Sequence, residues 1–292
     1  MIELKDGRAR VTIRPELGGA IERYDLSGAE PLPLFRAEAD PDRPGPFALG
    51  CNVLIPFSNR IAGGGFRQGG TFHPLPANWP GYELPLHGNG FQEEWSVAEH
   101  SDRHAVLRLG SEGPGPFRYD ADLTYSLEDG ALAMSLSLVN RAAITLPYGG
   151  GLHPWFPRTP GTRLQAGVAG VWLADDAAHL PTGHRPVEAV PEWDFRESRP
   201  LPSNWINNAF TGWDGRARIV WKDRGVTLDV EAEAPLSTLL VYSPSAASPY
   251  FCIEPVSHPV DAHNRRDESA MAGLIDLAPG DALLLHCRFI AG

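Results

Sequence analysis

The stretch Ala131-Leu132-Ala133-Met134-Ser135-Leu136-Ser137-Leu138 decides the fold class. It alternates with a period of two, so Leu132, Met134, Leu136 and Leu138 share one face while Ala and Ser fill the other. A helix would spread these side chains around its circumference; a half-buried strand keeps them on one side. Val226-Thr227-Leu228-Asp229-Val230 and residues 282–290 read the same way. Turn-forming clusters punctuate such runs: Glu128-Asp129-Gly130, Trp213-Asp214-Gly215 and Pro279-Gly280-Asp281. Short alternating runs bounded by turn residues are antiparallel strands. No stretch of about a dozen residues carries a helical period with a cap at each end. Strands do not alternate with helices either, which argues against a nucleotide-binding α/β fold. The expectation is an all-β, mainly antiparallel fold, a single domain over residues 1–292. No repeat recurs at a fixed period, so a propeller is disfavoured.

Composition narrows the function classes. Of 292 residues, 42% are hydrophobic and 21% charged, the balance of a chain that buries a core. Net charge is −11, from 36 acids against 25 bases, which argues against nucleic acid or an anionic membrane as partner. No apolar run approaches the ~20 residues of a membrane span, and the N-terminus has the charges of a folded chain instead of a signal peptide. Cys51, Cys252 and Cys287 are odd in number and lack CxxC spacing, so a reducing, cytoplasmic compartment is expected. Gly and Pro are scattered, but two loops stand out, residues 36–50, rich in both, and 191–208, with three prolines. Long loops on a rigid sheet are where sites sit.

Four blocks carry chemistry. In Asn52-Val53-Leu54-Ile55-Pro56-Phe57-Ser58-Asn59-Arg60 an apolar strand ends in a polar pair. Arg60 is either a forked donor to ligand oxygens or a plain surface arginine before a glycine turn. His87-Gly88-Asn89-Gly90 sets a histidine beside glycines that permit a sharp turn or a close backbone approach. Tyr148-Gly149-Gly150-Gly151-Leu152-His153-Pro154-Trp155-Phe156 holds His153 extended ahead of Pro154 and beside two aromatics. An imidazole there exchanges protons near neutral pH, or belongs to an aromatic core. Finally, Glu254 in Tyr250-Phe251-Cys252-Ile253-Glu254 ends an apolar strand. Burial there would raise its pKa towards that of a general base; the alternative is a strand-end ion pair with an arginine. His258 and His263 lie five apart without a recognisable ligand set, so no metal is expected. A phosphate-cradling loop and a GxSxG nucleophile elbow are both missing.

Together the four blocks resemble the aldose 1-epimerase (galactose mutarotase) family. Asn59-Arg60-Ile61, His87-Gly88, His153-Pro154-Trp155-Phe156 and Glu254-Pro255 with Pro259-Val260-Asp261-Ala262-His263-Asn264 look like its motifs, in its order, over residues 52–264. The resemblance implies a large antiparallel β-supersandwich with a sugar in an open cleft. It implies Glu254 as the base that takes the C1 hydroxyl proton and His153 as the acid that protonates the ring oxygen, facing each other across the pyranose. Arg60 and His87 would bind hydroxyls and the ring-oxygen side, joined by Asn59, Asn207 and Trp155. The family's sugar-binding aspartate looks here like Asn207, which keeps a hydrogen bond but loses the charged acceptor.

Anomer exchange needs one proton removed at O1 and one given to O5, so no cofactor is expected and the partner is a small monosaccharide. Trp79, Trp155 and Phe210 are candidate platforms for the sugar face, or equally members of the packed core. Rival readings are a hexose-6-phosphate epimerase using Arg67, Arg158, Arg265 and Arg266, a sugar-binding protein without turnover, and a glycoside hydrolase pairing Glu254 with Asp261.

Overall fold

The computed structural model describes residues 1–36, 46–175 and 177–292. Residues 37–45 of the loop anticipated at 36–50 thus lie outside the described residues. Among the described residues the strands form two large antiparallel sheets, of eleven and nine strands, and two small two-stranded ones.

The deciding stretch lies in the strand Ala131–Asn140, in the middle of the nine-stranded sheet. Its burial alternates without a break, as the period of two requires. It pairs with Tyr119–Glu128 through a hairpin turned by Asp129 and Gly130, whose φ values of 51° and 81° supply the left-handed turn that matches strand twist. On its other side it pairs with Ala282–Ala291, setting Leu136 opposite Leu285.

The middle of the eleven-stranded sheet runs, in spatial order, Cys51–Leu54, Gly151–Pro157, Tyr250–Val256, Thr238–Ser243, Ile206–Thr211 and Gly170–Ala174. Successive side chains point to opposite faces. Phe156, Phe251, Ile253, Val241 and Phe210 therefore join the main core cluster, which runs in sequence from Ile2 to Phe289 and takes residues from both large sheets. Leu240, Ala209 and Val256 point the other way, into a second apolar cluster with Trp172 and Met271. Phe210 is fully buried in the main core, so it is no sugar platform; strand parity turns it away from any cleft.

Two local expectations change. Residues 191–208 are not wholly loop: they hold the 3-10 turn Pro191–Trp193, the short strand Arg199–Pro200 and the start of Ile206–Thr211. Glu254 lies inside the strand Tyr250–Val256, not at its end. All three cysteines are buried free thiols. No helix among the described residues is long and apolar enough to cross a membrane.

Candidate active site

The strand register builds the floor of the site. Trp155 pairs with Cys252, Cys252 with Tyr242, and Tyr242 with Asn207, a row of four residues across four neighbouring strands. One pleat along lie His153, opposite Asn52, and Glu254, opposite Leu240. Residues two apart share a face, so His153, Trp155, Glu254, Tyr242 and Asn207 all look out from one side of the sheet. All five line one cavity of about 660 Å³.

The glycine run before His153 serves backbone packing. A Cβ on Gly149 would lie 2.3 Å from the His258 ring, one on Gly150 2.6 Å from the Leu54 carbonyl, and one on Gly151 2.3 Å from the Pro255 carbonyl. Only glycine lets this strand slide between its two neighbours, and that closeness brings His153 beside Glu254.

Loops complete the wall. Asn59 and His87 clasp each other: the Asn59 N–H donates to His87 Nδ1 at 3.0 Å, and the His87 N–H donates to the Asn59 carbonyl at 2.9 Å. Nδ1 is thus the acceptor, which leaves Nε2–H as the donor of a neutral imidazole. Asn59 Oδ1 in turn accepts from Arg60 Nη1 at 2.9 Å and aims the guanidinium. Behind them Asp261 accepts from the Ala62 N–H and from Asn264 Nδ2, while its own N–H donates to the Arg60 carbonyl. Asn59, His87 and Asp261 all have φ of 59°. That left-handed conformation costs a non-glycine residue about 1 kcal/mol or more, and its clustering here marks a site held in place by its surroundings. Gly88, also left-handed, lets the chain cross the Ile55 carbonyl, where a Cβ would sit 2.0 Å away. The close approach permitted by the His87-Gly88 motif is therefore to the protein's own backbone.

His153 Nε2 and Glu254 Oε1 stand 3.5 Å apart, with side chains 8% and 4% exposed. The two groups are neighbours on adjacent strands, not partners facing across the width of a sugar ring. This suits a hemiacetal, in which O1 and O5 share one carbon. Burial pushes the Glu254 carboxyl up to about 8, opposed by the positive charge of Arg60. Burial also pulls the His153 imidazole down to about 3, helped by the charge of Arg36. His87 is pushed well below the ordinary range by burial, then by His153 and Arg60. Three buried polar atoms here have no hydrogen-bond partner among the described residues: His153 Nδ1, Glu254 Oε2 and Trp155 Nε1. Each such orphan costs about 1–3 kcal/mol, a cost that a hydroxylated ligand would relieve.

The structure brings together the seven residues that the resemblance assigns to catalysis or sugar binding: Asn59, Arg60, His87, His153, Trp155, Asn207 and Glu254 line the one cavity. Trp155, however, is stacked on the His153 ring, with centroids 4.7 Å apart and planes 8° apart, and carries the Arg36 guanidinium 4.1 Å from its centroid. It supports the imidazole as much as it faces the cavity. The Asn207 side chain bonds no other residue among those described and is free to meet a hydroxyl. Trp79 does not line the cavity; it backs Phe47, which does, at 4.8 Å.

Sequence reasoning missed Phe47, Tyr82, Trp205 and Tyr242. Phe47 and Trp205 come from the two loops at 36–50 and 191–208, so their segments were legible though their roles were not. Tyr242 needed the strand register.

Other candidates are committed elsewhere. Neither Asp261 nor any of Arg67, Arg158, Arg265 and Arg266 lines the cavity. Arg158 bonds Ser243 and the Pro202 carbonyl, Arg265 pairs with Glu268, and Arg266 with Asp276. His258 accepts from the Ser58 N–H and bonds the Pro259 carbonyl, and His263 bonds the Pro147 carbonyl. Ligand atoms of His153, Cys252 and Glu254 do lie within 4.8 Å of one another, a geometry open to a thiophilic cation. Burial raises the Cys252 thiol far above its ordinary pKa, so a metal there would first have to displace that proton.

Comparison with known proteins places the chain in a family. The model of the aldose 1-epimerase family matches residues 1–289. An uncharacterised Escherichia coli K12 protein, YphB, is 36% identical over 238 residues, 80% of either chain. The crystal structure of a candidate aldose 1-epimerase from Escherichia coli K12 superposes with a TM-score of 0.89 at 31% identity, covering 99% of this chain and 98% of that one. A galactose mutarotase-like protein from Clostridium acetobutylicum shares the fold, with a TM-score of 0.83 at 20% identity over 99% of this chain and 94% of its own. With the family model spanning nearly its whole length, this chain belongs to the aldose 1-epimerase family.

Proposed function

We propose that this protein is an aldose 1-epimerase that interconverts the α and β anomers of a free aldose by acid–base ring opening and closure. The observation that carries this reading is the adjacent His153–Glu254 pair, buried and 3.5 Å apart at the floor of a cavity that Arg60 and His87 also line.

The pair's proton inventory suits the reaction. With His153 pulled to about 3 and Glu254 raised to about 8, the two groups share one mobile proton across that range. Among the protein groups alone that proton rests on Glu254. Its transfer to His153 gives a carboxylate and an imidazolium, the form in which Glu254 takes the O1 proton while His153 protonates O5. The C1–O5 bond breaks as the C1–O1 double bond forms. The pair is then a carboxylic acid and a neutral imidazole, and after rotation about C1–C2 these return the proton to O1 and take the one from O5, closing the ring on its other face. Arg60 favours the carboxylate form, and each proton-transfer partner is worth about 10²–10⁴-fold.

A free sugar is preferred to a phosphosugar because the four arginines considered for a phosphate lie outside the cavity. A single domain is supported by the core cluster running from Ile2 to Phe289, and a reducing compartment by three free thiols. Polarimetry of freshly dissolved α-D-glucose and α-D-galactose tests the activity. Acceleration of either supports it, and a rate equal to that of buffer for every common aldose ends it.

A further inference from the structure

The cavity is not buried throughout. Its floor is buried, but Tyr82 and Trp205, which also line it, are 42% and 46% exposed. They are two of the eight large hydrophobic side chains left exposed among the described residues. Trp205 is held in place: its ring stacks on His179 at 5.4 Å and meets the edge of Tyr242 at 5.2 Å. Ala177, Ala178 and Leu180 add apolar surface beside it. Their backbone is fixed by the Asp175 carboxylate, which accepts N–H bonds from all three. Volume points the same way. A hexose has twelve heavy atoms, and at water's roughly 30 Å³ for each it fills at most about 360 Å³. The cavity of about 660 Å³ is nearly twice that.

We propose that this outer end is a second sugar subsite, so that the preferred substrate class is a reducing oligosaccharide, its free anomeric carbon at the His153–Glu254 floor and its next ring against Trp205. The inference rests on the anomerase reading for its orientation. Because the reacting O1 lies at the floor and must be free, the second ring can be attached only through a non-anomeric hydroxyl, on the side of the sugar that looks outward. A rigid aromatic face with apolar neighbours recognises the C–H face of a pyranose. The acidic Glu83 beside Tyr82 disfavours a phosphate there.

The test compares glucose with maltose, cellobiose and isomaltose, measuring kcat/KM for anomer exchange by NMR magnetisation transfer, and binding by calorimetry. At least one disaccharide should equal or exceed glucose in kcat/KM. Trp205→Ala should lower that value about tenfold, the scale of one lost stacking contact, and leave glucose within about twofold. Turnover of glucose with none of the disaccharides, or an equal loss for both sizes of sugar in Trp205→Ala, overturns the subsite. If no sugar is turned over, the anomerase reading has failed and binding decides the subsite alone. Tighter binding of a disaccharide than of glucose, weakened by Trp205→Ala, upholds it; equal or undetectable binding of both overturns it. Circular dichroism of the variant separates loss of contact from loss of fold.

Discussion

The two faces of the strands Gly151–Pro157 and Tyr250–Val256 are built on opposite principles. One presents Phe156, Phe251 and Ile253 to the main core, where they pack among other buried hydrophobic side chains. The other, one residue out of phase, presents His153, Trp155 and Glu254, also buried but with polar atoms that no group among the described residues satisfies. The first face holds the fold together; the second is carried at a loss of stability that only binding and chemistry explain.

Neighbouring residues should therefore answer mutation in opposite ways. Glu254→Gln keeps shape and removes the mobile proton, so anomer exchange measured by polarimetry should fall by about 10²–10⁴-fold. The same change should raise the melting temperature, most of all in alkali. Glutamate in an unfolded chain titrates near 4.5, whereas the folded one holds its proton to about 8. Between those values the folded state keeps a proton that the unfolded state has released, so stability falls as pH rises and the full cost is felt above about 8. Glutamine abolishes that slope, which melting curves at pH 5 and pH 8.5 would reveal. Ile253→Ala, one residue away, should do the reverse. It should cost about 2–5 kcal/mol in denaturant unfolding and leave the turnover of the folded fraction nearly unchanged. If Glu254→Gln kept full activity, or destabilised the protein as Ile253→Ala does, the contrast between the faces would be lost.

The pH profile sharpens the same point. Since one shared proton must be present, kcat/KM should be level from about pH 4 to about pH 7.5 and then fall roughly tenfold per pH unit above about 8, where Glu254 is ionised and His153 stays neutral. A histidine acting alone with an ordinary pKa would instead show a break near 6.5. The position of the break in the pH–rate curve decides between them.

This contrast also explains what the sequence made legible. Period-two alternation is a local property, so the strand over Ala131–Leu138 and its hairpin at Asp129-Gly130 could be read from a dozen residues. The functional motifs could be read because each packs its chemistry into a few adjacent positions. Register is not local. That Trp155, Cys252, Tyr242 and Asn207 form one row depends on three strand pairings between segments far apart in the chain. Tyr242 was invisible for that reason, and Phe210 stayed open between core and sugar platform because its face is fixed by parity within a strand whose start the sequence did not mark. The glycines at 149–151 show the same limit. Their spacing announced something unusual, but the neighbours that demand it, Leu54, Pro255 and His258, come from elsewhere in the chain.

Asn207 and Asn208 allow the comparison of faces to be made with one residue type. Asn208 is buried; its amide donates to the Trp172 carbonyl at 2.8 Å and its Oδ1 accepts from the Asn207 N–H. Asn207, the next side chain along, opens into the cavity with no partner among the described residues. Asn208→Ala leaves a buried carbonyl unpaired, so it should cost about 1–3 kcal/mol in denaturant unfolding and leave KM unchanged. Asn207→Ala should leave unfolding unaltered within error and raise KM about 2–10-fold, the worth of one hydrogen bond to a sugar hydroxyl. Asn207→Asp restores a charged acceptor at the same place and should lower KM below that of the unmodified protein if the hydroxyl donates to it. If the aspartate variant weakened binding as much as alanine, the position would donate to the sugar instead of accepting from it, and the amide would be a specific adaptation of this chain to its substrate.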